Sequence, residues 1–169
     1  MWSWQGFWLW LHILSAIIAF GPTFAYPLIG AQIAKSPQNA VFGVRVMETI
    51  SMRLTLPFAV VGLPVAGIGL ILTDQIDFFG TTWLLVAVGL YILALIYSIG
   101  VQMPTGMKLM HKLEAMPPGP PPEGAGPPPE IAALTKRLQM GGALLTVLFL
   151  AIFTLMIFKP GGTEFSGLG

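Results

Sequence analysis

His12 is the residue in this sequence with the clearest capacity for chemistry, because it is the only His, Lys, Arg, Asp or Glu inside the long apolar stretches. A titratable group in such a stretch is a functional candidate by default. On a helix, His12 shares a face with mostly small or polar side chains, namely Trp8, Ser15, Ala16, Ala19 and Thr23. This composition predicts that the face points into a helical bundle. The imidazole is then either hydrogen-bonded to a facing group or an axial ligand of a haem iron.

A haem b bound through His12 would take any second axial ligand from another helix, and Met156 is the best-placed candidate. From the helical rise per residue, His12 lies roughly 7 to 8 Å and Met156 roughly 3 Å below the same end of the bundle. A five-coordinate haem, or a haem shared by the His12 residues of two chains in a homodimer, would also fit. The candidate cofactor-binding residues are His12, Met156, Trp8 and Ser15.

A second candidate site lies near the other end of the bundle, where methionines accumulate. Met103, Met107 and Met110 recur at helical spacing beside His111. Thioethers together with an imidazole are ligands that Cu(I) prefers. A methionine stripe also packs well against irregular surfaces, so packing is the alternative interpretation.

The elements that must position these residues are membrane-spanning helices. Of the 169 residues 55% are hydrophobic and 9% charged, where soluble domains carry roughly 25% charged residues. Four apolar stretches, residues 7–26, 54–72, 83–101 and 141–158, contain no Lys, Arg, Asp or Glu. Each approaches the ~20 residues that a helix needs to cross a bilayer. We therefore predict one domain over residues 1–169, an all-α integral membrane protein with a bundle of four transmembrane helices.

The distribution of charge predicts how the bundle is oriented. Basic residues follow the first and third stretches, at Lys35, Arg45, Arg53, Lys108, Lys112, Lys136 and Arg137. The positive-inside rule then places both termini outside and these residues in the cytoplasm of a bacterial plasma membrane. All five Trp residues lie towards the opposite, outer end, as expected at a membrane interface: Trp2, Trp4, Trp8, Trp10 and Trp83.

Three features of the connections and helices refine this picture. Residues 117–129 are rich in Pro and Gly, which predicts an extended cytoplasmic linker, with a docking motif for a partner as the alternative. A helical continuation is expected over residues 105–116, and an amphipathic lead-in over residues 131–140. The second stretch carries small residues that permit close approach of another helix or of a flat ligand, at Gly62, Ala66, Gly67 and Gly69.

Several function classes are excluded or disfavoured by composition. The absence of Cys excludes thiolate chemistry, which covers disulfides, thiolate metal sites and iron–sulfur clusters. Ion relays and metal-assisted hydrolysis would require carboxylates in the spans, and there are none. Phosphate-binding loops and nucleophile motifs are also missing. We expect no independent catalytic activity and no nucleic-acid partner.

Particular residues give the chain a family resemblance. It resembles a family of predicted bacterial integral membrane proteins, domain of unknown function 2269, in four features: Leu11-His12-Ile13-Leu14, the following Gly21, Leu-Pro-Val-Ala-Gly at residues 63–67, and four spans. The resemblance extends to copper-resistance D proteins and to haem-associated J-type protoporphyrinogen oxidases. It implies a four-helix bundle in which His12 binds haem or copper. The oxidases' further basic residue has no clear counterpart, Arg53 being the nearest candidate.

Three functional hypotheses follow. The first is haem b binding through His12, in electron transfer or haem handling. The second is a non-catalytic accessory subunit that packs against a larger respiratory or other membrane complex. The third is copper handling through the methionines and His111. Beyond the lipid bilayer, the expected partners are therefore subunits of a larger complex or a second copy of the chain.

Overall fold

The computed structural model describes residues 3–116 and 126–161. Their architecture consists of four long helices, α1 (Trp4–Lys35), α2 (Ala40–Thr73), α3 (Thr82–Glu114) and α4 (Pro129–Phe158). Each of these is long and apolar enough to cross a membrane, and the described ranges contain no strand. The predicted all-α membrane fold is therefore confirmed.

The helices are longer than the apolar stretches that predicted them. Each stretch lies within one helix, but α2 begins at Ala40, well before Leu54, and α3 continues to Glu114 as expected. The lead-in over residues 131–140 belongs to α4, which begins at Pro129, a position where the missing N–H of proline is harmless. The predicted linker thus ends at residue 128, and its part from 117 to 125 lies outside the described residues, as does Trp2.

Neighbouring helices run antiparallel, as individual contacts show. Trp8 near the start of α1 packs at Gly69 near the end of α2, and Arg45 of α2 pairs with Glu114 at the end of α3. Helix α1 packs along α2, α3 packs along α4, and α1 also touches α4. The bundle has a tryptophan end, with Trp4, Trp8, Trp10 and Trp83, and a basic end, with Arg45, Lys108, Lys112 and Lys136.

The core lies at mid-bundle, where side chains from all four helices meet. Its buried members are Ala19, Phe20, Ala59, Leu63, Ala94, Leu145, Phe149 and Ile152. The rings of Phe20 and Phe149 lie 4.0 Å apart at their centroids and join α1 to α4. Alanines on the facing helices let the backbones approach closely. Because lipid is as apolar as the side chains, such complementary packing is what holds membrane helices together.

Three wide π-type turns interrupt the regular helices, and each ends just before a proline. They are closed by the N–H groups of Leu56, Leu63 and Met103, which donate to the carbonyls five residues earlier in the chain. The following residues are Pro57, Pro64 and Pro104. A proline lacks an N–H, and its ring collides with the carbonyl four residues back in a regular helix. The wide turns relieve that collision and keep α2 and α3 continuous.

Candidate functional site

His12 faces α2 at Gly67. A Cβ atom added to Gly67 would lie 3.7 Å from both Nδ1 and Cε1 of the imidazole. The backbone of Leu63 lies near the ring as well. Nδ1 itself is buried and makes no hydrogen bond to any residue in the described ranges. The ring is thus held between two helices with one nitrogen unpartnered.

The residues one turn to either side of His12 also meet glycines of α2. The indole of Trp8 occupies the space where a side chain at Gly69 would be, and a Cβ added to Gly62 would lie 2.9 Å from Oγ of Ser15. Ser15 is fully buried. The predicted inward face of α1 therefore packs on the small-residue surface of α2. Two roles were predicted for that surface, the close approach of another helix or of a flat ligand, and in the structure another helix approaches it closely.

The same interface continues towards the basic end with polar contacts. The hydroxyl of Tyr26 lies 2.7 Å from Oγ of Ser51 and donates to the carbonyl of Met47 at 3.3 Å. Further along, the side chain of Ile33 fills the space at Gly43. Contacts along most of the length of α1 therefore fix the position of His12.

Two buried polar atoms in this interface lack partners. Nδ1 of His12 and Oγ of Ser15 lie three residues apart on one face of α1, and neither makes a hydrogen bond within the described part of the chain. Leaving such a group unpaired costs about 1–3 kcal/mol. The interface therefore retains two polar groups at an energetic cost.

The geometry around His12 does not fit a haem between α1 and α2. Gly62 and Gly69 flank the position that faces the imidazole, and at both of them even one added methyl group would collide with α1. A porphyrin inserted at His12 would need far more room than that. In this packing the residues fit helix association and not a haem plane between the two helices.

Met156, the candidate second haem ligand, lies on α4. Its side chain is partly buried and packs against the mid-bundle core. His12 instead faces α2. The two candidate ligands thus have different described surroundings, and a haem held by both stays a prediction.

The candidate copper ligands differ in their exposure. Met110 is buried at 6% exposure, whereas Met107 is 43% exposed. Met103 is half-buried and His111 is exposed. Within residues 3–116 and 126–161, no three or more His, Asp and Glu side chains form a group that could hold a metal ion. Copper binding by the methionines and His111 stays a prediction.

A small cavity at the centre of the bundle was missed by sequence reasoning. It has a volume of about 30 Å³, and hydroxyl-bearing side chains of Thr55, Tyr91 and Ser98 contribute to its lining. The hydroxyl of Tyr91 donates to the carbonyl of Ala59 and so joins α3 to α2. Oγ1 of Thr55 is buried without a described partner. Hydroxyls at mid-helix positions were the available signal, but they are common in membrane helices.

A second, larger concavity lies at the basic end. This basic groove has a volume of about 480 Å³ and is lined by Lys108, His111, Lys112, Glu130, Ala133 and Leu134. Nζ of Lys112 lies 2.5 Å from Oε2 of Glu130, an exposed ion pair between α3 and α4. Hydrogen bonding to Lys112, reinforced by its charge, lowers the pKa of Glu130. Sequence reasoning used Lys108 and Lys112 only to predict the orientation, and it took the methionines and His111 of this segment as the candidate ligands.

Comparison with known proteins adds one finding to this geometry. Residues 7–160 match the model of a family described as "Predicted integral membrane protein (DUF2269)". No curated protein and no solved structure matches the chain.

Proposed function

Because the chain belongs to this family of predicted integral membrane proteins, we propose a role that a lipid-embedded bundle can perform by packing alone. The protein acts as a non-catalytic accessory subunit of a larger membrane complex. The helices α1 and α2 are committed to each other through Gly62, Gly67 and Gly69. We place the docking surface on α3, whose outer side is free of that contact.

The observation that carries this proposal is an outward-facing stripe on α3 that contains two open glycines. This α3 outer stripe consists of Leu85, Gly89, Leu93, Ile96 and Gly100. A Cβ added to Gly89 or Gly100 would meet nothing within 4 Å. Leu93 and Ile96 between them are 52% and 66% exposed.

Exposed glycines of this kind serve a partner better than they serve lipid. Glycine costs about 1 kcal/mol relative to alanine inside a helix, so an unfilled glycine position gains nothing from lipid contact. Small residues do allow another helix to approach closely. Gly141 on α4 illustrates this within the bundle, since Gln102 and Tyr97 of α3 occupy the space beside it. The α3 outer stripe offers the same surface to a helix from another subunit.

The environment of the subunit is proposed from its charges and hydropathy. The protein is a multi-pass protein of the bacterial plasma membrane. Its basic end faces the cytoplasm and its tryptophan end faces outward, because basic residues are retained on the cytoplasmic side.

Site-specific crosslinking in native membranes tests the accessory role. A photoreactive residue replaces Leu93 of α3 in a tagged full-length chain, and a matched control carries it at Val147, a 63% exposed position on α4. We expect one discrete partner of defined stoichiometry from position 93 and none from position 147. Gly89→Leu should abolish that crosslink while the helical circular dichroism is unchanged. Equal crosslinking from both positions, or a crosslink that survives Gly89→Leu, would refute the proposal.

Haem b binding through His12, in electron transfer or haem handling, is the second proposal. The unpartnered, buried Nδ1 of His12 favours it, and it requires α1 and α2 to separate around that residue. Bound haem would supply one-electron redox chemistry. Absorption spectra of the purified protein, oxidised and reduced, test it after expression with ample haem. A Soret band that disappears in His12→Ala supports haem, and its absence from the wild type removes this proposal.

Copper handling gains no support from the placement of the methionines.

A further inference from the structure

The basic groove brings three cationic or titratable side chains of one helix face opposite the first turns of another helix. Lys108, His111 and Lys112 are spaced three and four residues apart on α3, so they project to the same side. Ala133 and Leu134 of α4 form an aliphatic wall across the groove. A cationic floor beside an aliphatic wall suits a ligand with a compact anionic group and an apolar part.

The charges within the groove are only partly neutralised. Glu130 is paired with Lys112. Lys108 and His111 have no ion-pair partner within residues 3–116 and 126–161. An anion entering the groove would contact Lys108 and His111 directly, and it would compete with Glu130 for Lys112.

We propose that the basic groove is a binding site for a phosphate group, held by Lys108, Lys112 and His111. Lysine is a common point-charge ligand of phosphate, and charge-assisted hydrogen bonds are stronger than neutral ones. The phosphate belongs either to an anionic lipid headgroup or to a free phosphate ion. Basic pockets beside membrane helices do bind anionic headgroups, and the aliphatic wall would then contact the glycerol portion. This site is independent of the accessory role proposed above.

Glu130 acts as a built-in competitor in this arrangement. Its carboxylate occupies the side of Lys112 that a phosphate would use. Removing that carboxylate should strengthen phosphate binding, whereas removing either lysine should weaken it. A site that depended only on overall charge would not distinguish residues inside the groove from residues outside it.

Calorimetric titration of the full-length protein in a non-ionic detergent tests the site. The probes are dihexanoyl phosphatidylglycerol, inorganic phosphate and, as a zwitterionic control, dihexanoyl phosphatidylcholine. Lys108→Gln and Lys112→Gln should each weaken binding about tenfold, the loss expected for one hydrogen bond to a charged group. Glu130→Gln should strengthen it. Lys136→Gln, which removes the same charge from an exposed position of α4 outside the groove, should leave it nearly unchanged.

The pattern across probes and variants decides the outcome. Saturable binding of phosphatidylglycerol alone assigns the site to a lipid headgroup, binding of inorganic phosphate alone assigns it to a free ion, and binding of both supports a general phosphate site. Saturable binding of neither anion would overturn the proposal. So would equal weakening by Lys108→Gln and Lys136→Gln, or weaker binding after Glu130→Gln. All four substitutions are at exposed side chains, and unchanged circular dichroism confirms that each variant is folded.

Discussion

Gly62→Ala should destabilise the bundle because the new methyl group has no room at the α1–α2 interface. It would lie 2.9 Å from Oγ of Ser15 and 3.1 Å from Cδ1 of Phe58. Such overpacking costs about 1–3 kcal/mol, and the better helix propensity of alanine returns about 1 kcal/mol. We expect a net loss of about 1 kcal/mol in the free energy of unfolding. It can be measured by titrating the detergent-purified protein with a denaturing detergent while following its circular dichroism.

Gly67→Ala provides the matched control on the same helix. Its methyl group would make ordinary contacts of 3.7 Å with His12, so only the helix-propensity gain of about 1 kcal/mol should remain. The two variants should therefore differ by about 2 kcal/mol in opposite directions from the wild type. If Gly67→Ala were as destabilising as Gly62→Ala, the closeness of the two helices at Gly62 would not be the cause.

A second substitution locates the collision at Ser15. Ser15→Ala removes the oxygen that the Gly62→Ala methyl group would meet, and it also removes a buried hydroxyl that lacks a described partner. Alone it should be neutral or stabilising, because an unpaired buried polar group is costly. In its background, Gly62→Ala should cost less than in the wild type. Additive effects of the two substitutions would refute the proposed contact.

Other contacts give three further predictions. Tyr91→Phe removes the hydrogen bond from α3 to the carbonyl of Ala59 and should lower the unfolding free energy by about 1 kcal/mol in the same detergent titration. Arg45→Gln breaks an exposed ion pair and should change that quantity by no more than about 1 kcal/mol. Because Lys112 lowers the pKa of Glu130, their ion pair persists above the lowered pKa and is lost as the pH falls through it. The Glu130 carboxyl of Lys112→Gln should therefore titrate at higher pH than in the wild type, as followed by NMR.

The fold was predictable from sequence because the bilayer imposes a simple rule on it. Four apolar stretches of bilayer-crossing length are enough to indicate four helices. The ends of the helices were less predictable, because beyond the hydrocarbon the chain is amphipathic and no such rule applies. Residues 40–50, where α2 carries Arg45 and Glu48, form regular helix without any long apolar run.

The candidate site was predictable in its orientation but not in its contacts. The spacing of Trp8, His12 and Ser15 indicated one inward face, and the small residues of α2 indicated a close approach. Neither pattern could reveal that each of these side chains meets its own glycine, since that depends on the vertical register of two helices. The basic groove also required the structure, because Lys112 and Glu130 are separated by the Pro-rich segment in sequence.

The wide turns before Pro57 and Pro64 have a consequence for how insertions and deletions would act on α2. Each turn holds one residue more than a regular helical turn, and one residue corresponds to about 100° of rotation. Deleting Val61 would remove the extra residue of the second turn, and a regular turn would then cover the same rotation. Gly67 and Gly69 would still face His12 and Trp8, although the relief that the wide turn gives to Pro64 would be lost. Deleting a residue from a regular turn of α2 before Gly67 would instead rotate both glycines away from α1 by about 100°.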